Sequence, residues 1–280
     1  MMTKRQRKAV RITLTYLICV IAFLFFITPM LWITYSSFRT PSAILSGKVV
    51  SPGNQYTLDN YRVVLSTTDF PVYFWNSLRI GVLVTLFAMV LSIVGAYGLS
   101  RYPLKGKNAY IMGVFSTQMF PIVLLLIPIY NIIFAIGLFN TAVGIVLGQL
   151  MLCLPFAVWM LKGYFDNLPK DIEDSARIDG CNLFQTLWRI VLPISAPGIM
   201  VAAFFSFVVS WGDYLVVSVI SQSQRTATLT LALQRLSSSL LLRWGQVAAA
   251  TVLTIVPTIL LFSFVQTRLV AGLTAGAVKS

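Results

Sequence analysis

Histidine is missing altogether from these 280 residues, and charged side chains make up only 10% of them. The first absence removes the commonest general base, the usual proton relay of membrane pumps, and every metal site or catalytic triad that needs an imidazole. The second removes the soluble class, because an ordinary globular domain carries about 25% charged residues to cover its water-facing surface. Acidic residues are the scarcest charges, 8 Asp+Glu against 21 Lys+Arg. Cysteine is limited to Cys19, Cys153 and Cys181, widely separated, with the first two in apolar runs. They read as small buried hydrophobes, not as a disulfide or a CxxC site. No G-x-x-x-x-G-K-[ST] run occurs, so the chain has no phosphate-cradling loop of that kind.

What is abundant is apolar: 58% of residues are hydrophobic and the mean hydropathy is +0.84. The net charge of +13 would suggest nucleic-acid binding in a soluble protein. In a membrane protein it needs only basic cytoplasmic loops, and no nucleic acid is expected. A bilayer-crossing helix takes roughly 20 mostly apolar residues. Six stretches qualify, at about 13–36, 76–99, 109–132, 141–162, 197–220 and 246–267. Between Asn108 and Lys162 there is no charged residue, so two spans lie there, turning at Gly137-Leu-Phe-Asn-Thr141. The fold class expected is all-α, a polytopic membrane protein of six helices.

The basic start, Lys4, Arg5, Arg7, Lys8 and Arg11, resembles the opening of a signal peptide, but the apolar run from Ile12 to Ile33 is too long and no A-x-A site follows. An uncleaved anchor with a cytoplasmic N-terminus (1–12) is expected, and six spans then return the C-terminal tail (268–280) to the same side. The cytoplasmic segments 1–12, 100–108, 162–196 and 268–280 hold 14 of the 21 Lys+Arg. Arg39, Lys48, Arg62, Arg79, Arg225, Arg235 and Arg243 fall outside. The first external loop, about 39–75, with Pro41, Pro52, Gly53 and Pro71 among Tyr56, Tyr61 and Tyr73, reads as irregular polar structure, either a connection or a partner-facing surface.

Five of the eight acidic residues, Asp166, Asp171, Glu173, Asp174 and Asp179, sit in one cytoplasmic stretch. Pro169 suits a first helical turn, and the carboxylates after it favour the positive end of the helix dipole. Gly180 supplies a left-handed stop, and Asn182 caps a second short helix through Leu183, Phe184, Leu187, Trp188 and Val191, closed by Pro193 and Pro197. This elbow (164–196) carries Ile172, Ala176, Ile178, Leu183 and Phe184 to fill a partner's groove. A solvated loop whose acids balance nearby bases is the plainer reading. The coincidence of start, stop and apolar signals favours docking.

The run Glu173-Asp-Ser-Ala-Arg-Ile-Asp-Gly180, then nine residues, then Ile190-Val-Leu-Pro193 resembles the EAA loop of permease subunits in bacterial ABC importers, roughly E-A-A-x-x-x-G, nine residues, I-x-L-P. Asp174, Ser175 and Ala176 stand at the three leading positions, two of them substituted, while Gly180, Ile190, Leu192 and Pro193 match. Asn76-Ser-Leu78, Gly95-Ala-Tyr-Gly-Leu-Ser-Arg-Tyr102, Gly137-Leu-Phe-Asn-Thr141 and Trp211-Gly-Asp-Tyr214 are similar to the carbohydrate-uptake branch. Gly272-Leu-Thr-Ala-Gly-Ala-Val-Lys279 is similar to the tail of the second permease of maltose-type systems, departing in its final Ser280.

The resemblance implies a type I ABC importer permease fold in the bacterial inner membrane. The implied partners are a second permease subunit in a heterodimer, two ATPase subunits, an extracytoplasmic solute-binding protein and membrane lipid. The chain itself would be no enzyme and hold no cofactor or metal, with ATP and Mg on the ATPase subunits. Coupling to them would rest on Glu173, Asp174, Ser175, Ala176, Asp179, Gly180, Ile190, Leu192 and Pro193, the carboxylates meeting basic groups of the ATPase and Ala176 permitting close approach. The tail would add a second ATPase contact or simply fray.

Asp213 is the one acidic residue expected within a span, where an ionisable group is costly unless it faces a cavity or partner. Flanked by Trp211 and Tyr214, it is a candidate for the substrate pathway; alternatively it pairs with a helix end or Arg79 while the aromatics pack. Asn76, Gln118, Asn131 and Gln149 are polar intramembrane positions suited to interhelical hydrogen bonds or the path. Gly144 and Gly148 form a GxxxG read as helix packing. The rival classes are an amino-acid or peptide ABC permease, a secondary transporter, which usually needs more spans and ion-coupling residues, and an intramembrane enzyme, for which paired carboxylates are lacking.

Overall fold

The computed structural model describes residues 4–46, 55–66, 68–237 and 243–277 of the chain. Pro52, Gly53 and Lys48 of the first external loop, and the last three residues of the tail, lie outside the described residues. The described residues are helical, joined by short turns and one isolated backbone bridge. They form two compact units, residues 1–70 with 235–255, and 71–234 with 256–280.

The first unit opens with α1 (Lys4–Ser37), whose apolar side chains from Val10 to Trp32 are exposed, as suits a helix facing hydrocarbon. The loop that follows is more regular than its composition suggests. It forms α2 (Pro41–Leu45) and α3 (Asp59–Ser66), held by an antiparallel bridge between Arg39 and Tyr56. The order comes from Asn60, a buried side chain whose Nδ2 donates to the carbonyls of Ser37 and Arg39, both at 2.9 Å. Composition could not reveal that one buried carboxamide closes the loop.

In the second unit α4 (Phe70–Arg101) is followed by α5 (Lys107–Met119) and α6 (Ile122–Ala135), which meet at 105°. The third expected span, 109–132, is therefore a broken one. Pro121 has no N–H to give a helix and forces Phe120 into an extended conformation at ψ 135°, so the helix cannot run through. The turn to α7 (Ala142–Asp166) falls where it was expected, with Gly137 at φ +73° and the Thr141 hydroxyl accepting from Gly144 N–H. The elbow comprises α8 (Lys170–Ile178), α9 (Leu183–Thr186), a π-helical turn (Leu187–Val191) and α10 (Leu192–Ile194). An 80° bend then leads into α11 (Ala196–Gly212).

The fifth expected span, 197–220, is interrupted at Asp213-Tyr214 before α12 (Leu215–Ile220); α13 (Leu229–Ser237) follows. The last helix, α14 (Trp244–Ala277), carries segment 268–277 as a helical continuation of the sixth span. Among the described residues four helices are long and apolar enough to cross a membrane, or up to six spans if each bent pair counts as one. The core of the second unit lies where α4, α6, α7, α11 and α12 converge on Val84, Ala88, Ile133, Ile145, Ala202 and Val216, all fully or nearly fully buried.

Candidate functional site

The elbow is built from local signals that act as expected. Pro169 precedes the first turn of α8, and Asp171 and Glu173 lie in that turn. At its end Gly180 adopts φ +84°, its N–H donating to the Arg177 carbonyl and that of Cys181 to the Ala176 carbonyl, both at 3.0 Å. These two bonds are the pair that ends a helix in a left-handed glycine cap. Asn182 then forms a reciprocal capping box with Gln185: Gln185 N–H donates to Asn182 Oδ1 and Asn182 N–H to Gln185 Oε1, each at 2.9 Å.

Pro193 does not close the second helix. The chain remains helical to Ile194, because the π turn just before it sends Leu192 N–H back to the Leu187 carbonyl and so accommodates a proline that can neither donate nor tolerate a normal turn beneath its ring. Ile190 and Leu192 are half-buried in this stretch, and Pro193 is exposed.

Two of the expected partner-facing residues face inward. Glu173 is 4% and Ala176 3% exposed. They sit three apart on the one face of α8 that packs against the chain itself. Glu173 Oε1 accepts from Arg101 Nε at 2.5 Å, and Oε2 accepts from the Tyr97 hydroxyl at 2.8 Å. Both side chains therefore face their own chain, where an outward position was expected of them. Truncating one member of so buried a pair would strand the other charge, at about 3–5 kcal/mol.

Arg101 also reaches Ser100 Oγ at 3.2 Å and the Leu168 carbonyl at 3.5 Å, while Ser100 donates to Asp166 at 2.7 Å and Asp166 pairs with Lys162. These α4 and α7 contributors escaped sequence reasoning. The available signal was a lone arginine closing an apolar span opposite a helix with an acidic residue on its inward face.

The outward side of the elbow holds the rest. Asp174, Ser175, Asp179 and Gly180 are exposed, and Asp174 makes only a solvent-facing pair with Arg177 at 3.4 Å. Beside them Ile178 is 86%, Phe184 69% and Trp188 63% exposed, the two rings stacked at 6.1 Å. The elbow thus exposes large apolar side chains and carboxylates together.

The second candidate, Trp211, Asp213 and Tyr214, lies at the break between α11 and α12. Asp213 pairs with a helix end and not with Arg79: Oδ1 accepts from Val216 N–H at 3.2 Å, and Oδ2 from Gln149 Nε2 at 2.9 Å. Gln149 is fully buried and accepts from Ser210 at 2.5 Å, so it joins α7 to α11. Trp211 is 5% exposed, stacked on Phe207 at 5.5 Å and edge-on to Phe74 at 5.7 Å. Tyr214 is half-buried at the start of α12.

Among the other polar positions, Gln118 donates to the Leu152 carbonyl at 3.1 Å. Asn76 donates to the carbonyls of Gln224 and Ala227 at 3.1 and 2.9 Å. Gly148 lies where a methyl group would run into Val216 and Ile220, a close helix approach as the GxxxG suggested. No cluster of three or more metal-ligating side chains occurs among the described residues.

The chain is similar to known proteins in sequence and in fold. The chain is 34% identical over 265 residues to an inner membrane ABC transporter permease protein, YcjP, of Escherichia coli, covering 93% of this chain and 95% of that one. It is 32% identical to the diacetylchitobiose uptake system permease protein DasC of Streptomyces coelicolor (93% and 94% covered) and 33% identical to the trehalose transport system permease protein SugB of Mycobacterium tuberculosis (90% and 92%). Its fold matches a chain of a bacterial ABC transporter involved in alginate import, with a TM-score of 0.81 at 21% identity over 95% of this chain and 99% of that one. Residues 88–274 match the family model described as the inner membrane component of binding-protein-dependent transport systems, and the chain belongs to that family.

Proposed function

We propose that this permease forms, with a second permease, the pathway of an ATP-driven importer for sugars or short oligosaccharides, and that its elbow docks on a cytoplasmic ATPase subunit. The observation that carries the coupling reading is the exposure of Ile178, Phe184 and Trp188 together with Asp174 and Asp179, on an elbow whose first helix is fastened to the chain through Glu173. Carboxylates there suit basic groups of a partner, and the stacked rings suit an apolar slot. Both termini lie in the cytoplasm, by the distribution of Lys+Arg. ATP and Mg belong to two ATPase subunits, and a solute-binding protein delivers substrate from outside. The sugar class rests on the diacetylchitobiose and trehalose systems of the relatives.

Within this reading Asp213 serves the pathway through the geometry of α12, since both carboxylate oxygens are occupied. The test is reconstitution of the chain with its companion subunits in liposomes, followed by uptake of radiolabelled trehalose, maltose and diacetylchitobiose. ATP-dependent uptake of one of them is expected, with Phe184→Ala and Asp174→Lys each lowering the amount of ATPase that co-purifies. Uptake driven by an ion gradient and indifferent to ATP, or undiminished ATPase association in both variants, would overturn the reading.

A further inference from the structure

The first helix of the elbow, α8, is tied to the spans that precede it by two routes. One is covalent: α7 continues into α8 through Asn167, Leu168 and Pro169. The other joins α8 to α4, about 70 residues earlier, and consists of Glu173 with Arg101 and Tyr97. Both members of the ion pair are nearly closed to solvent, with 7% and 5% of their side chains exposed. A buried ion pair is a poor means of gaining stability, because desolvation offsets most of the attraction. It is a good means of fixing one relative position of two elements, since any slip strands a charge.

We infer that Tyr97, Arg101 and Glu173 form a latch that makes α8 and the inner end of α4 a single moving body, so that displacement of the elbow is delivered to α4 as well as to α7. The geometry supports each part. Arg101 is gripped on three sides, by Glu173, by Ser100 Oγ and by the Leu168 carbonyl, and is thus tied to α8 and to the α7–α8 link together. Tyr97 is 3% exposed and set edge-on against Phe165 at 6.0 Å, which aims its hydroxyl at Glu173 Oε2. Ser100, the residue before Arg101, adds a second clasp by donating to Asp166 and so joins α4 to α7 directly beside the pair. Arg101 and Tyr97 are positioning residues: they touch neither solute nor nucleotide and act through α8. The inference rests on the elbow being the ATPase-docking element.

The test uses the whole transporter in liposomes, with whichever of trehalose, maltose or diacetylchitobiose the wild type takes up. Glu173→Gln and Arg101→Gln are each expected to leave the amount of co-purifying ATPase at the wild-type level while solute moved per ATP hydrolysed falls about tenfold. The double variant should lose well under the product of the two single losses, since the ion pair is common to both. Tyr97→Phe removes a single hydrogen bond and should lower the same ratio about threefold, which keeps the test open if the charge variants fail to insert. Loss of ATPase association in Glu173→Gln alone would overturn the latch in favour of direct docking. A fall in uptake that tracks permease abundance, with solute per ATP unchanged, would reduce it to a structural role. Failure of the underlying reading is separate, since the wild type itself would then neither retain ATPase nor couple uptake to ATP.

Discussion

The side-chain oxygen of Asn140 lies 2.8 Å from the Thr226 hydroxyl, across 86 residues of chain. The same oxygen accepts from the backbone N–H groups of Gln222 and Ser223 and from the Ser223 hydroxyl, at 3.0, 3.1 and 3.0 Å. Asn140 itself adopts φ +56°, a left-handed conformation that asparagine tolerates better than most residues. One turn residue thus organises the segment between α12 and α13. Asn140→Ala should lower stability by about 2 kcal/mol, combining stranded donors with a backbone penalty. Asn140→Gly should lose less, because it keeps the backbone freedom. Thermal unfolding of the purified protein in detergent measures both, and equal midpoints for the two variants would refute the backbone share.

Asp213 separates a capping role from a solute-binding one. Asparagine is as good a helix cap as aspartate, so Asp213→Asn should retain the Val216 contact but set its amide against the Gln149 donor, and should unfold between the wild type and Asp213→Ala, which should lose about 1 kcal/mol. Gln149→Leu should be the most damaging of the three, leaving a half-buried carboxylate short of a donor and the Ser210 hydroxyl without its acceptor. KM for uptake should be unchanged in Asp213→Asn; a large rise would mean that the carboxylate touches solute after all.

Much of this was legible in the sequence because the signals are local. A run of apolar residues reveals a span by its length, and Pro169, Gly180 and Asn182 each act within one turn of themselves. The inward role of Glu173 was not legible, since a carboxylate in the first turn of a helix meets the dipole equally well whether it faces a partner or its own chain. Only the contact with Arg101, 72 residues away, decides it. The breaks in the third and fifth spans had visible causes in Pro121 and Asp213, but composition measures apolar length and says nothing about bend angle. Gln149 was visible as a polar intramembrane residue; its pairing with Asp213 required the register of α7 against α11.

Gly180 offers a backbone test free of packing effects. A methyl group added there meets nothing within 4 Å, so any loss arises from φ +84° alone. Asparagine should be tolerated best, alanine should cost about 1 kcal/mol, and valine more, since β-branching is penalised further at positive φ. Uptake per ATP hydrolysed in the reconstituted transporter should fall in that order while the chain still reaches the membrane. Normal coupling in Gly180→Val would show that the turn is not required for transmission.

Gly198 tests the opposite case, in which space decides. It lies at the start of α11, just past the elbow, and a methyl group on it would come within 2.5 Å of the Tyr164 ring on the last turns of α7. The near atoms, Cγ, Cδ2 and Cε2, form one edge of a half-buried ring anchored at Cγ, so the ring cannot simply swing clear. Gly198→Ala should therefore cost about 1–3 kcal/mol through overpacking. Tyr164→Ala in the same chain should recover part of that loss, because removing the ring removes the clash while adding a cavity of its own. The two substitutions must then be non-additive, with the double variant more stable than the sum of the singles implies. Strictly additive shifts in unfolding midpoint would mean that α7 and α11 separate freely at this end, and that the bend into α11 is not held by the close approach of Gly198 to Tyr164.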